Sequence, residues 1–332
     1  MYTEEDIASA IKAGILSNET AEAFRAHVAG ERQGPAVDEE HFRLITGFND
    51  IFVVIASVLL LASVGGIAGV LTDWIGAAAV AAVAWLLAEF FTRQRRMALP
   101  SIVLLLAFVS SVMGGVLLLL GPEKGAQSVV IASALATLAA WLHWRRFQVP
   151  ITVAAGAAVG VAFAVALLLW AAPDARHWLS VISFIAGVAV FVLAMYWDTR
   201  DTARLTRKSD VAFWLHLLAA PLLVHPVFAA LGVFEGQMNL WQAAVVILLY
   251  VAIGFVSLCI DRRALMVSAL VYVMYAFSTL LEQYGVVSLS FALTALVIGS
   301  ALLLLSAFWH ASRAQVLRRV PLAVQRWLVP AR

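Results

Sequence analysis

The sequence predicts an all-α, polytopic transmembrane bundle of about ten spans, built from similar helical hairpins and with both termini cytoplasmic. Three observations lead there. Hydrophobic residues fill 63% of the 332 positions and charged residues only 13%, at a mean hydropathy of +0.95. Soluble domains carry about 45–50% apolar and about 25% charged residues, so lipid is the solvent that suits this chain. Apolar runs of spanning length follow one another from Ile51 onward, and the basic residues collect on alternate links between them. The same composition excludes disordered, collagen-like and disulfide-rich secreted classes. A net charge of +2 gives no reason to expect nucleic acid as a partner.

Residues 1–40 are expected to form a cytoplasmic pair of amphipathic helices and a linker. Thr3 suits an N-cap, with Glu4, Glu5 and Asp6 complementing the helix dipole. Ile7 and Ile11 supply the apolar stripe, and Gly14 ends the helix. Ser17 caps a second helix whose apolar face holds Ala21, Phe24 and Val28. Residues 30–38 read as the linker. A pair this small buries too little surface to stand alone, so residues 1–38 are expected to dock on themselves, on nearby loops or on a protein partner. The basic start and short apolar core of a secretory signal peptide are both missing here.

Crossing the hydrocarbon core takes about 18–25 apolar residues as a helix. Within residues 41–310, ten runs qualify: 51–71, 74–91, 100–120, 126–143, 151–172, 178–197, 211–233, 240–260, 264–281 and 286–309. Asn49 and Asp50 stand where a cap for the first run is expected. Thr72–Asp73 and Asp261–Arg263 leave room only for tight turns. Alternating crossings put 20 of the 22 Lys and Arg on the side of the two chain ends, leaving Lys124 and Arg176 opposite. Basic residues stay cytoplasmic because carrying them through the membrane is unfavourable, which sets the orientation. The opposite links are acidic, with Asp73, Glu123, Asp174, Glu235 and Glu282. Glu89 precedes Arg93 by four residues and is expected to pair with it.

The basic links repeat. Arg95-Arg96-Met-Ala-Leu-Pro100 opens the third run and Arg145-Arg146-Phe-Gln-Val-Pro150 the fifth, with the same spacing. Arg262-Arg263 precedes the ninth in the same way, with Val267 in place of proline. Proline in a first turn loses no hydrogen bond, and arginine at a helix end reaches the headgroups. His143, beside Trp144 and Arg145, is expected at the interface. Glycine and serine pairs four apart (Gly65 with Gly69, Ser111 with Gly115, Gly156 with Gly160) suit close helix packing. Cys259, the one cysteine, reads as a small hydrophobe within an apolar run. Residues 311–332 are expected to be a basic interfacial tail. There Arg313, Arg318, Arg319 and Arg326 interleave with apolar residues, and Pro321 breaks the helix.

Ionisable groups at membrane depth are functional suspects. The seventh run carries His216 and His225 with Pro221 and Pro226, which free backbone carbonyls and permit a kink or local unwinding. Nine residues apart, the two histidines point to opposite faces of a straight helix and cannot share a metal unless a kink rotates them. The ninth run presents Ser268, Tyr272, Tyr275, Thr279 and Glu282 on one polar face. That face suits either a cavity lining or hydrogen bonding between helices. His216, His225, Tyr272, Tyr275, Thr279 and Glu282 are therefore the candidate ligand-binding residues. Zinc, nucleophile-elbow, phosphate-loop and Cys-x-x-Cys motifs are missing, so neither catalytic residue, metal nor cofactor is expected. Asp198-Thr-Arg-Asp201-Thr-Ala-Arg204 resembles the opening of the CDP-alcohol phosphotransferase motif. It lacks that motif's glycine, its Ala-Arg spacing is short and only Asp210 represents the later aspartates, so it reads as a solvated basic loop.

Three further segments form one pattern: Ile7-x3-Ile11-x2-Gly14-Ile-Leu-Ser17, Phe42-Arg43-Leu-Ile-Thr-Gly47-Phe48-Asn49-Asp50-Ile51-Phe52, and Trp309-x3-Arg313-x3-Leu317-Arg318-Arg319-Val-Pro321. They resemble bacterial integral membrane proteins of a domain-of-unknown-function family. The resemblance implies a bacterial inner-membrane location and about this number of helices, and no activity. The function expected from the residues is binding or transport of a small solute or lipid between the seventh and ninth runs. The alternative is a non-catalytic scaffold acting through the N-terminal helices. Membrane lipids, with anionic headgroups at the arginine links, are the expected partners.

Overall fold

The computed structural model describes residues 4–31, 48–202, 204, 206–232, 240–283 and 290–321, with Gln325 and Leu328. Among these residues the chain is all-helical. Residues 1–43 and 44–332 form two separate compact units.

In the first unit, α1 (Glu4–Lys12) and α2 (Asn18–Glu31) form the helix pair. Gly14, at φ +70°, stops α1 in the left-handed conformation that glycine adopts without strain. The Thr20 N–H donates to Ser17 Oγ at 3.1 Å, the cap expected for α2. Ile7 and Ala21 are buried, whereas Ile15 and Phe24 are exposed. Thr3 and residues 32–38 lie outside the described residues, as does the Val28 side chain.

The second unit begins with α3 (Phe48–Gly69), α4 (Asp73–Ala88), α5 (Ala98–Leu120), α6 (Ala126–Phe147) and α7 (Ile151–Ala171). It continues through α8 (Leu179–Asp198), α9 (Arg207–Ala230), α10 (Leu240–Ile260), α11 (Ala264–Gln283) and α12 (Ser290–Ala307), and ends in α13 (Trp309–Leu317). Eight of these helices are long and apolar enough to cross a membrane, α3 to α10. The bent pair α12–α13 makes a ninth if counted as one span, and Leu265–Thr279 within α11 is a shorter apolar helix.

The packing is that of a protein whose surroundings are apolar. Phe52, Leu59, Val70, Leu86, Leu248 and Leu303 point outward, while small residues such as Ala84, Ala136, Ala140, Ala194, Ala219 and Ser133 fill the interior. Between helices in lipid, close backbone approach replaces the hydrophobic drive that water would supply. Gly76 of α4 shows the limit: a Cβ there would lie 2.7 Å from the Gly65 carbonyl oxygen and 3.0 Å from Gly69 Cα. The Gly65–Gly69 pair is thus a packing surface. Gly160, by contrast, has no neighbour within 4 Å of a built Cβ.

The closest helix pairings are α4–α5, α6–α7 and α8–α9, with α10–α11 also packed together. These hairpins are joined by the arginine-bearing links. Each of those four links places one non-glycine residue in the left-handed region: Arg96 (φ 53°), Gln148 (φ 54°), Arg204 (φ 55°) and Asp261 (φ 58°). The hairpin repeat is therefore a repeat of backbone geometry as well as of sequence. Left-handed L-residues cost roughly 1–2 kcal/mol, so each link needs compensating bonds. In the first hairpin, α4 continues into a wider-wound turn, Glu89–Gln94, with the Arg95 N–H donating to the Phe90 carbonyl. Glu89 there takes a two-pronged ion pair from Arg146 at 2.6 and 2.8 Å, while the expected partner Arg93 stands further off at 3.4 Å.

Four expectations change. His143 is fully buried inside the protein rather than turned outward. The stretch 198–204 is not a solvated loop, because Asp198, Asp201 and the Arg204 side chain are buried. Arg313, expected to reach toward the headgroups, is instead 2% exposed within α13. Lastly, α9 runs unbroken through Pro221 and Pro226.

Candidate functional site

Helix α9 separates two polar clusters. His216, one turn and a half into the apolar part of α9, faces α8: its ring lies edge-on to Phe191 at 5.3 Å, and Nε2 is 2.9 Å from Asp198 Oδ2. Asp198 ends α8. Its other oxygen accepts from Arg262 Nη2 at 2.5 Å, and the same guanidinium donates to the Ser209 carbonyl and hydroxyl at 3.1 and 3.2 Å. Arg262 is 2% exposed and His216 is fully buried. A single link residue thus ties the end of α8 to the first turn of α9.

The neighbouring residue carries a second set of bonds. Asp261 accepts from Arg204 at 3.0 Å and from Trp309 Nε1 at 2.7 Å, and Arg313 Nε stands 3.5 Å away. Arg204 also donates to the Asp261 carbonyl at 3.0 Å, which offsets the left-handed backbone at both residues. Asp201 completes the group by accepting from the Thr206 N–H and hydroxyl, at 2.8 and 2.7 Å. Thr206 in turn caps α9. Three buried carboxylates, Asp198, Asp201 and Asp261, balance three buried guanidinium groups, those of Arg204, Arg262 and Arg313. Charge balance, with several hydrogen bonds to each carboxylate, is what makes a buried ion network tolerable. His216 is fully buried, and the cluster joins the end of α8, the start of α9, the link before α11 and α13.

The second cluster lies on the opposite face of α9. His225 Nδ1 is 2.9 Å from the Tyr272 hydroxyl of α11. Phe228 stacks on the Tyr272 ring at 5.0 Å and closes the inner side. Tyr272 falls near the middle of α11, whereas His225 lies in the last third of α9, and His225 is exposed. An exposed imidazole on an apolar helix is expensive unless something polar meets it.

Of the sequence-derived candidates, the fold brings His225 and Tyr272 together. Tyr275 lies on the same side, 40% exposed, and Thr279 is half-buried. His216 does not join them. The Glu282 side chain lies outside the described residues. Sequence reasoning missed Asp198, Asp261, Arg262 and Trp309. The available signal was that Asp261-Arg262 stands between two apolar runs with no room for a solvated loop. Among the described residues, no three His, Cys, Asp or Glu side chains form a metal-holding group. Comparison with protein-family models, characterised proteins and solved structures finds no match to this chain.

Proposed function

We propose that this is a ten-span protein of a bacterial inner membrane, both ends cytoplasmic, that binds or moves a small polar solute or lipid between α9 and α11. The orientation rests on the one-sided distribution of Lys and Arg. Membership of the domain-of-unknown-function family is proposed on the three segments that resemble it. The site rests on one observation, the exposed His225 paired with Tyr272 across two apolar helices. His225 and Tyr272 hold the polar group of the ligand, and Tyr275 and Thr279 extend the surface along α11. His216 acts one layer away, by fixing α9.

The test is thermal unfolding of the detergent-purified protein against a panel of small carboxylates, amines, sugars and lysolipids. A panel compound is expected to raise Tm, and His225→Ala and Tyr272→Phe each to abolish that shift. A shift that survives both substitutions overturns the site. A second reading has its own observation: Ile15 and Phe24, exposed on the helix pair, suit a protein partner. On that reading, deleting residues 1–38 abolishes the cellular phenotype while His225→Ala leaves it intact.

A further inference from the structure

The arginines at the hairpin links divide into two groups. One group is held by carboxylates: Arg93 and Arg146 by Glu89, Arg204 by Asp261, and Arg262 by Asp198. The other lies on aromatic rings. The Arg95 guanidinium stands 5.4 Å from the centre of the Phe90 ring, that of Arg145 5.0 Å from Trp141, and that of Arg200 4.1 Å from Tyr196. Among the described residues these three guanidinium groups form no ion pair with a carboxylate. In the fourth link the ring under Arg263 is Trp309, which is 3% exposed and closed to a ligand.

The three pairs are alike in construction. Trp141 and Arg145, and Tyr196 and Arg200, are four residues apart at a helix end and so share one face. Phe90 and Arg95 are five apart, and the wider winding of Glu89–Gln94 brings them together in the same way. Each arginine is followed within four positions by the left-handed residue that turns the chain into the next helix, Arg96, Gln148 or Arg204. Phe90 is 41% exposed, Trp141 and Tyr196 are 49% exposed, and all three arginines are exposed. Alternating crossings put the ends of α4, α6 and α8 on one side of the membrane, so the three pairs meet one leaflet.

An exposed ring at the end of an apolar helix stands at the boundary between hydrocarbon and headgroups, where tryptophan and tyrosine are favoured. A guanidinium laid on such a ring keeps its N–H fork free and is already oriented, so it loses less freedom on binding. The fork matches the paired oxygens of a phosphate, and at that depth the anion in reach is a lipid headgroup. We propose that Phe90–Arg95, Trp141–Arg145 and Tyr196–Arg200 are three sites for anionic phospholipid, each guanidinium taking a headgroup phosphate while its ring packs on the start of an acyl chain. The proposal rests on the membrane-spanning reading. It is independent of the α9–α11 site and of which side of the membrane the chain ends occupy.

Native mass spectrometry of the full chain, released from detergent with added phosphatidylglycerol or phosphatidylcholine, tests it. Three phosphatidylglycerol molecules should each be retained about fivefold better than phosphatidylcholine, the preference expected of one arginine near a headgroup. Arg95→Gln, Arg145→Gln and Arg200→Gln should each lose one preferred lipid, and the triple variant all three. Lys208→Gln removes the same charge from an exposed side chain and should leave the count at three. A loss there equal to that of Arg145→Gln would reduce the sites to general electrostatics and overturn the proposal. Trp141→Leu and Tyr196→Leu keep every charge and should weaken retention at their own sites about twofold. Retention unchanged by both overturns the pairing of ring and arginine. Ring and arginine variants act on the same site from different residues, so one misfolded variant does not decide the matter. His225→Ala should leave all three lipids in place; a loss there would overturn the independence from the α9–α11 site. Displacement of phosphatidylglycerol by inorganic phosphate alone also overturns the proposal. A chain that takes up no detergent would overturn the membrane-spanning reading and the proposal with it. A detergent-bound chain that holds the two lipids equally overturns the proposal alone.

Discussion

His143, near the end of α6, and His216, well inside α9, are both fully buried, yet their polar surroundings differ. Around His143 the rings of Phe147, Trp85 and Phe108 lie 4.5, 6.0 and 6.0 Å away. The Thr152 hydroxyl, 3.3 Å from Nδ1, is its polar contact, and Nε2 has no hydrogen-bond partner among the described residues. His216 sits against one ring and one carboxylate, and that carboxylate carries a buried arginine. The region from α3 to α7 is held by ring packing and by close backbone approach at Gly76. The region from α8 to α13 adds a buried ion network. Burial alone therefore says little about a histidine's part; the charge on its neighbour decides it.

The comparison can be broken most sharply at Asp198. Asp198→Ala leaves Arg262 buried without its counter-charge and is expected to destabilise by about 3–5 kcal/mol, read from denaturant unfolding in detergent. Asp198→Leu combined with Arg262→Met should recover most of that loss, because hydrocarbon of similar volume replaces a buried pair without great cost. If the single change costs no more than a surface substitution, the network does not hold this region together.

Steric contact comes next. A Cβ on Gly187 would stand 2.9 Å from the Leu222 backbone, one residue beyond Pro221, where α8 presses on α9. Gly187→Ala should cost about 1–3 kcal/mol in the same assay, whereas Gly160→Ala, with open space around it, should be close to silent.

The two histidines can then be exchanged for hydrocarbon directly. His216→Leu removes a hydrogen bond from a buried carboxylate and should cost about 1–3 kcal/mol. His143→Leu removes a longer contact to a hydroxyl and should change unfolding far less. Equal losses at the two positions would dissolve the distinction drawn between them. Glu89→Gln should have the smallest effect, lost in the scatter of the melting measurement, because the ion pair it breaks lies at the exposed rim of α4 and α6.

Much of this architecture was legible in the residues. The apolar runs, the Ser17 cap, the Gly14 stop and the close packing at Gly65 and Gly69 all depend on contiguous or nearly contiguous residues. The facing of His225 and His216 to opposite sides of α9 followed from helical spacing alone. The ion network was not legible. Arg262 meets Asp198 across 64 positions and Asp261 meets Arg204 across 57, so arginines that suit headgroup contact turned inward instead. The prolines of α9 suggested local unwinding, yet that helix remains continuous through both.

What the sequence by itself determined was the solvent, the positions of the apolar helices and the residues that begin and end several of them. Those are local matters, because in lipid each segment must satisfy its own backbone hydrogen bonds. Only the tertiary structure decided which basic residues face inward, which histidine meets a carboxylate and which meets a tyrosine. Coulombic and hydrogen-bond partners act over a few ångströms in space, whatever their separation along the chain.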